Sequence, residues 1–126
     1  MHRPMTLNHL YLRVADLAAS EAFYRRYFGF TGPPEWQGET CVIRDEAGFT
    51  LALTPDPAPP AWPDGLHYGF VLDSVADARR LLARFQRDAH PVHESYLEPA
   101  FVVFKVRDPD GYLVEVEAGV PTFPPA

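Results

Sequence analysis

The chain has 126 residues, of which 47% are hydrophobic, and a formal charge of −6. That length predicts one compact domain, or two small modules sharing a core. The acidic balance, with Lys and Arg dispersed, argues against nucleic acid as a partner, and no run is apolar enough to span a membrane. Cys41 is the single cysteine, so no internal disulfide forms and a reducing, cytoplasmic setting is expected. The N-terminus leads directly into a strand pattern without an apolar signal core.

In chain order, residues 7–14 read as a strand, with Leu10, Leu12 and Val14 on one face and His9, Tyr11 and Arg13 on the other. Asp16 is placed to cap a helix over 17–28, which carries Leu17, Phe23, Tyr24, Tyr27 and Phe28 and stops at Gly29. Two strands, 38–44 and 48–54, are expected around a turn at 45–48. Residues 55–65 hold so many prolines that helix and central strand are excluded, and they read as a stiff linker. A second series follows: a strand at 67–72, a helix at about 75–87 and strands near 91–95, 101–107 and 112–118. Asp108-Pro109-Asp110-Gly111 reads as a tight turn. The proline-rich tail, Val120 to Ala126, is expected to be extended. Each half is thus strand–helix–strand–strand or a close variant.

The two series are one pattern repeated. Leu7 to Asp16 lies over Gly65 to Ser74, so that His9 meets His67, Leu12 meets Phe70 and Val14 meets Leu72. The ends match as well, Gly48 to Leu53 lying over Gly111 to Val116, which sets Ala52 against Glu115. A histidine at one repeated position invites a search for a site between the copies. Alternation puts Val114 and Val116 in the core and Glu115 opposite them, on the side shared by His67, Gly69 and Val71. If both sheets curve with their helices outside, His9, His67 and Glu115 face a shared interior. Two imidazoles and a carboxylate with open positions suit Fe, Mn, Zn or Ni as a divalent ion. A lone strand histidine is usually structural, but a glutamate between core valines needs a partner.

The chain resembles the vicinal oxygen chelate superfamily, which includes glyoxalase I, extradiol dioxygenases, fosfomycin-resistance enzymes and bleomycin-binding proteins. The resemblance runs over about residues 6–119. It rests on Leu7-Asn8-His9 with Val14-Ala15-Asp16-Leu17, on Phe23-Tyr24 and Phe28-Gly29-Phe30, on His67-Tyr68, and on Asp108 to Tyr112 with Glu115. It implies an α+β fold of paired βαβββ modules, about 6–54 and 66–119, whose curved mixed sheet wraps a metal-centred cup with helices outside. It also implies that His9, His67 and Glu115 are the metal ligands, that a small molecule is the substrate and that the protein is a homodimer. Glyoxalase I is similar through Leu12-Arg13-Val14, its arginine holding the glutathione carboxylate, but it needs a ligand at Ala52 and a second glutathione contact near Asp56. Fosfomycin thiol transferases and extradiol dioxygenases use three ligands, as here, yet both place a tyrosine where Lys105 stands. The chemistry implied is that of a lyase, a thiol transferase or a ring-cleaving dioxygenase. The rival implied by the family is a sequestering antibiotic- or aromatic-ligand-binding protein, a reading that Trp36, Trp62 and the many Phe and Tyr residues support.

Other residues have a functional reading beside a plain one. Lys105 is either a cup-facing cation for an anionic substrate or a solvent-facing lysine on an edge strand. Tyr11 offers a hydroxyl or packing, and Arg13 binds a substrate carboxylate or a surface acid. Glu39 is a candidate general base if it is partly buried at the rim, and otherwise a solvated strand end. Cys41, sharing its face, is a pocket thiol or a small core residue. Ala52 leaves a ligand position open to substrate. His90-Pro91-Val92-His93 reads as a loop, with His93 near the cup mouth.

Overall fold

The computed structural model describes residues 4–120; the tail expected to be extended lies, beyond Val120, outside the described residues. The chain forms an α+β structure of two compact units, Met1–Pro60 and Ala61–Ala126. Among the described residues, each has one helix and one four-stranded mixed sheet. Among the described residues, no helix is long and apolar enough to cross a membrane.

The first unit runs β1 (His9–Val14), α1 (Leu17–Phe28), β2 (Phe30–Gln37), β3 (Thr40–Asp45) and β4 (Thr50–Pro55). Its strand order is β1-β4-β3-β2, parallel between β1 and β4 and antiparallel elsewhere. The Asp16 side chain caps α1 by accepting from the Ala19 amide at 3.1 Å. Gly29 ends α1 at φ 74, a left-handed value at which any other residue would be strained. Phe23, Tyr24 and Phe28 are buried on the helix. On the sheet, Leu12, Leu53 and Cys41 lie side by side in register and are buried with them.

The second unit runs β5 (Tyr68–Val71), α2 (Val75–Arg87), β6 (His93–Leu97), β7 (Phe101–Arg107) and β8 (Leu113–Gly119), in the order β5-β8-β7-β6. The helix is capped by Ser74, whose hydroxyl accepts from the Asp77 amide, and it packs on β7 and β8. Ala78, Leu82 and Phe85 are buried on the helix as Phe104, Val114 and Val116 are on the sheet, and Phe85 meets Phe104 edge to face.

The two units repeat each other down to their turns. Asp45 accepts from the Phe49 amide through its carboxylate at 2.8 Å, and Asp108 accepts from the Tyr112 amide in the same way at 3.0 Å. The register repeats too: Ala52 stands beside Tyr11 and Val42, and Glu115 stands beside Gly69 and Lys105. The first unit has one strand more than alternation alone predicts, whereas the second has the four expected. The extra strand is β2, which contains Gly32-Pro33-Pro34 and pairs on one side only. Proline gives up a ladder hydrogen bond, which an outermost strand with a register shift tolerates.

Candidate metal centre

The helix-free face of each sheet carries the polar residues. In the first unit it presents His9, Tyr11 and Arg13 from β1, Ala52 from β4, and Val42 and Arg44 from β3. His9 is exposed, and its Nδ1 lies 2.8 Å from the Asn8 side-chain oxygen. In the tautomer that donates from Nδ1 to this oxygen, Nε2 has its lone pair available for a cation. Tyr11 is 50% exposed. Arg13 donates to Asp56 at 3.4 Å.

In the second unit, one row across the sheet reads Gly69, Glu115, Lys105, His93. His67 immediately precedes β5, and its Nε2 stands 3.7 Å from a Glu115 oxygen. That is too long for a hydrogen bond. It fits two ligands of one ion, since two bonds of about 2.0–2.2 Å span up to roughly 4.2 Å. The two side chains are 34% and 22% exposed, so the pair is partly shielded yet reachable. Among the described residues, no group of three or more His, Cys, Asp and Glu side chains is gathered into an ion-binding cluster. The pair supplies two donors, an imidazole nitrogen and a carboxylate oxygen, of the kind that borderline divalent ions take.

Gly69 makes room for Glu115. A Cβ at position 69 would lie 3.3 Å from the Glu115 Cβ and 3.5 Å from its Oε2. The carboxylate side chain therefore lies against a bare patch of backbone. Lys105 lies on β7, an inner strand, and its side chain is 18% exposed, so the edge-strand alternative is set aside. Its ammonium is paired with Glu94, a residue that the sequence reading did not single out. The Lys105 hydrogen bond and charge hold the Glu94 carboxyl below the usual carboxylate range, with smaller contributions from His67 and His93. His93 is exposed on β6, directly across from Lys105.

At two places the structure takes the plain reading over the functional one, and at a third the expectation changes. Cys41 is fully buried on the helix side of β3, where Glu21 and Arg25 of α1 face it, so it is a core thiol and not a pocket one. Burial pushes its pKa up, the Glu21 carboxylate adds to this, and Arg25 opposes it. Glu39 sits in the exposed turn between β2 and β3, outside either strand, and lacks the partial burial that a general base at the rim requires. The 90–93 segment divides: His90 packs at a tilt against Phe85 and its Nε2 meets the Arg107 carbonyl at 2.9 Å, whereas His93 opens β6. No sequence signal marked Glu94. For Gly69 the signal was a glycine in mid-strand, which often marks close approach by another group.

Comparison with known proteins identifies the family and the fold. Residues 6–116 match the family model described as the Glyoxalase/Bleomycin resistance protein/Dioxygenase superfamily. A solved structure described as a possible glyoxalase from Bacillus cereus is 31% identical, covers 90% of this chain and 98% of its own, and has a TM-score of 0.75. Lactoylglutathione lyase from Agrobacterium tumefaciens is 26% identical over 94% of this chain and 96% of its own, with a TM-score of 0.70. A genomically encoded fosfomycin resistance protein from Listeria monocytogenes, at 17% identity, covers 94% of this chain and 96% of its own with a TM-score of 0.74, and shows the shared fold. Comparison with curated proteins finds no match. A family match over so much of the chain leads to one conclusion: the chain belongs to the glyoxalase/bleomycin resistance protein/dioxygenase superfamily.

Proposed function

We propose that the protein is a divalent-metal-dependent enzyme that binds a small oxygen-chelating substrate at a centre formed by His9, His67 and Glu115. The observation that carries this reading is the His67–Glu115 pair, with nitrogen and oxygen 3.7 Å apart and no hydrogen bond between them. His9 supports it as the third ligand, because it opens β1 as His67 precedes β5, and because the tautomer that donates to Asn8 leaves its Nε2 free. Members of this superfamily are generally metal-dependent and act on small molecules. The donor set suits Fe, Mn, Zn or Ni. Such an ion supplies Lewis acidity that stabilises negative charge on a substrate oxygen.

The chain's own residues define the rest. Ala52 stands where the other sheet has Glu115, and its methyl group leaves room for substrate instead of a fourth ligand. Lys105 provides a cation close to Glu115 for an anionic substrate group, and Tyr11 and His93 offer polar contacts on the open faces. Arg13 already holds Asp56, so a glutathione carboxylate approaching Arg13 would compete with that acid. This weighs toward a small substrate without a glutathionyl arm, handled by lyase, thiol-transfer or ring-cleaving chemistry. The sequestering alternative leaned on the tryptophans. Trp36 lies in register with Cys41, on the helix side of its sheet, and Trp62 packs on Tyr112, so neither supports that reading. Since each unit carries only part of the ligand set, a homodimer in which units exchange partners is the assembly we favour.

Elemental analysis of protein purified without added metal, with a chelator control, tests the centre. About one ion per chain, lost in His67→Ala and Glu115→Gln, is expected; full metal retention in both variants refutes it. Light scattering at micromolar concentration tests the dimer, and a metal-bound monomer refutes it.

A further inference from the structure

We infer that Glu94 is a positioning residue that holds the Lys105 ammonium away from Glu115 and so keeps that carboxylate available to a divalent cation. The inference rests on the reading of His67 and Glu115 as cation ligands. Lys105 and Glu115 are direct cross-strand partners in the antiparallel β7–β8 pair. Side chains so placed have Cβ atoms about 4.5–5.5 Å apart, and opposite charges there attract. A Lys105–Glu115 bridge is therefore the default for this register. It would neutralise the carboxylate and set an ammonium where the cation belongs. Instead the ammonium is paired with Glu94, while the Glu115 carboxylate faces His67.

The backbone at Glu94 is built for this. His93 is opposite Lys105, on the open face, so in a regular strand residue 94 would point to the other face. Two departures turn it back. The β6–β7 register shifts between His93 and Tyr96, and Glu94 takes φ 47, a value uncommon outside glycine. Bulges of this kind re-aim side chains beside functional sites. Stability does not explain the arrangement. The Glu94 side chain is 66% exposed, and ion pairs with so exposed a partner contribute little to folding. A strained backbone that makes a weak pair is accounted for by what the pair prevents.

The test uses the full-length protein and two variants, Glu94→Gln and Lys105→Met, alone and combined. First, crystals of metal-free Glu94→Gln are expected to show the Lys105 Nζ within hydrogen-bond distance of a Glu115 oxygen; an Nζ that stays clear of Glu115 overturns the inference. Second, calorimetric titration with Mn²⁺ is expected to show at least a tenfold loss of affinity on Glu94→Gln in the native background, but less than a twofold loss in the Lys105→Met background. Equal losses in both backgrounds reveal only the long-range effect of a missing negative charge and overturn it. The two readings fail separately. If the native protein binds no Mn²⁺ while Lys105 closes onto Glu115 in the variant crystals, the metal reading falls and the positioning role stands. If Mn²⁺ binding is lost in His67→Ala but unchanged in Glu94→Gln, the positioning role falls alone.

Discussion

Gly69→Ala isolates the candidate centre from the fold. The added Cβ would meet the Glu115 Cβ and backbone oxygen at 3.3 Å and its Oε2 at 3.5 Å. Ordinary contacts between such atoms lie near 3.5–4.0 Å, so Glu115 must yield by about 0.4 Å. Moved away from His67 by that amount, the 3.7 Å nitrogen–oxygen gap approaches the roughly 4.2 Å limit that two bonds to one ion can span. Mn²⁺ or Zn²⁺ affinity should fall at least ~10-fold, equivalent to about 1.4 kcal/mol. The fold should hardly notice. Replacing glycine removes unfolded-chain freedom worth about 0.4–1 kcal/mol, which offsets most of the crowding, taken at about 1 kcal/mol. Calorimetric ion titration paired with a thermal melt reads both quantities. The melt should move by only a few degrees. A variant with a native melt and an ion affinity within twofold of the parent refutes the reasoning, because Glu115 would then tolerate displacement that the proposed centre does not allow.

Ala52→Glu should tighten metal binding and abolish activity by filling the position left for substrate; if metal raises the variant's melting temperature no more than the parent's, the open-position explanation fails. Gly119→Ala should destabilise by at least ~3 kcal/mol in urea titration, because its Cβ would fall 2.1 Å from the Ala100 carbonyl oxygen at φ 89; a loss under ~1 kcal/mol contradicts the geometry. Cys41, buried under α1 with a raised pKa, should resist thiol reagents until the first unit opens. Because its folded value is raised, its contribution to stability is complete below the ordinary cysteine range and is lost as pH rises through the folded value; an unfolding free energy that does not fall from pH 8 to pH 10 more in the native protein than in Cys41→Ala argues against it.

Much of the candidate site was legible because a repeat supplies its own alignment. Setting His9 on His67 and Ala52 on Glu115 needed only the sequence, and the strand registers keep the same frame, with Tyr11 beside Ala52 as Gly69 is beside Glu115. Alternation also placed Glu115 opposite the buried Val114 and Val116. It failed where alternation carries no phase. Cys41, Val42 and Ile43 are all buried, so β3 gave no clue that Cys41 belongs to the helix side. It failed again at Glu94, since a register shift and a left-handed residue break the two-residue period that the reading depends on. The strand β2 was hidden by its prolines, which reason from propensity alone excludes and an edge position permits.

That proline-bearing edge has a consequence for how the protein behaves in a crowded solution. An open sheet edge is a template on which another chain can add a strand and begin to polymerise. Along β2, Pro33 and Pro34 present no amide hydrogens, and the register shift between Thr31 and Glu35 breaks the spacing that an incoming strand would have to match. On the other sheet the outer strand, β6, is short and carries a register shift as well. Each sheet therefore has one outer edge ill-suited to templating fibrils, a safeguard gained from the same irregularities that obscured these strands in the sequence.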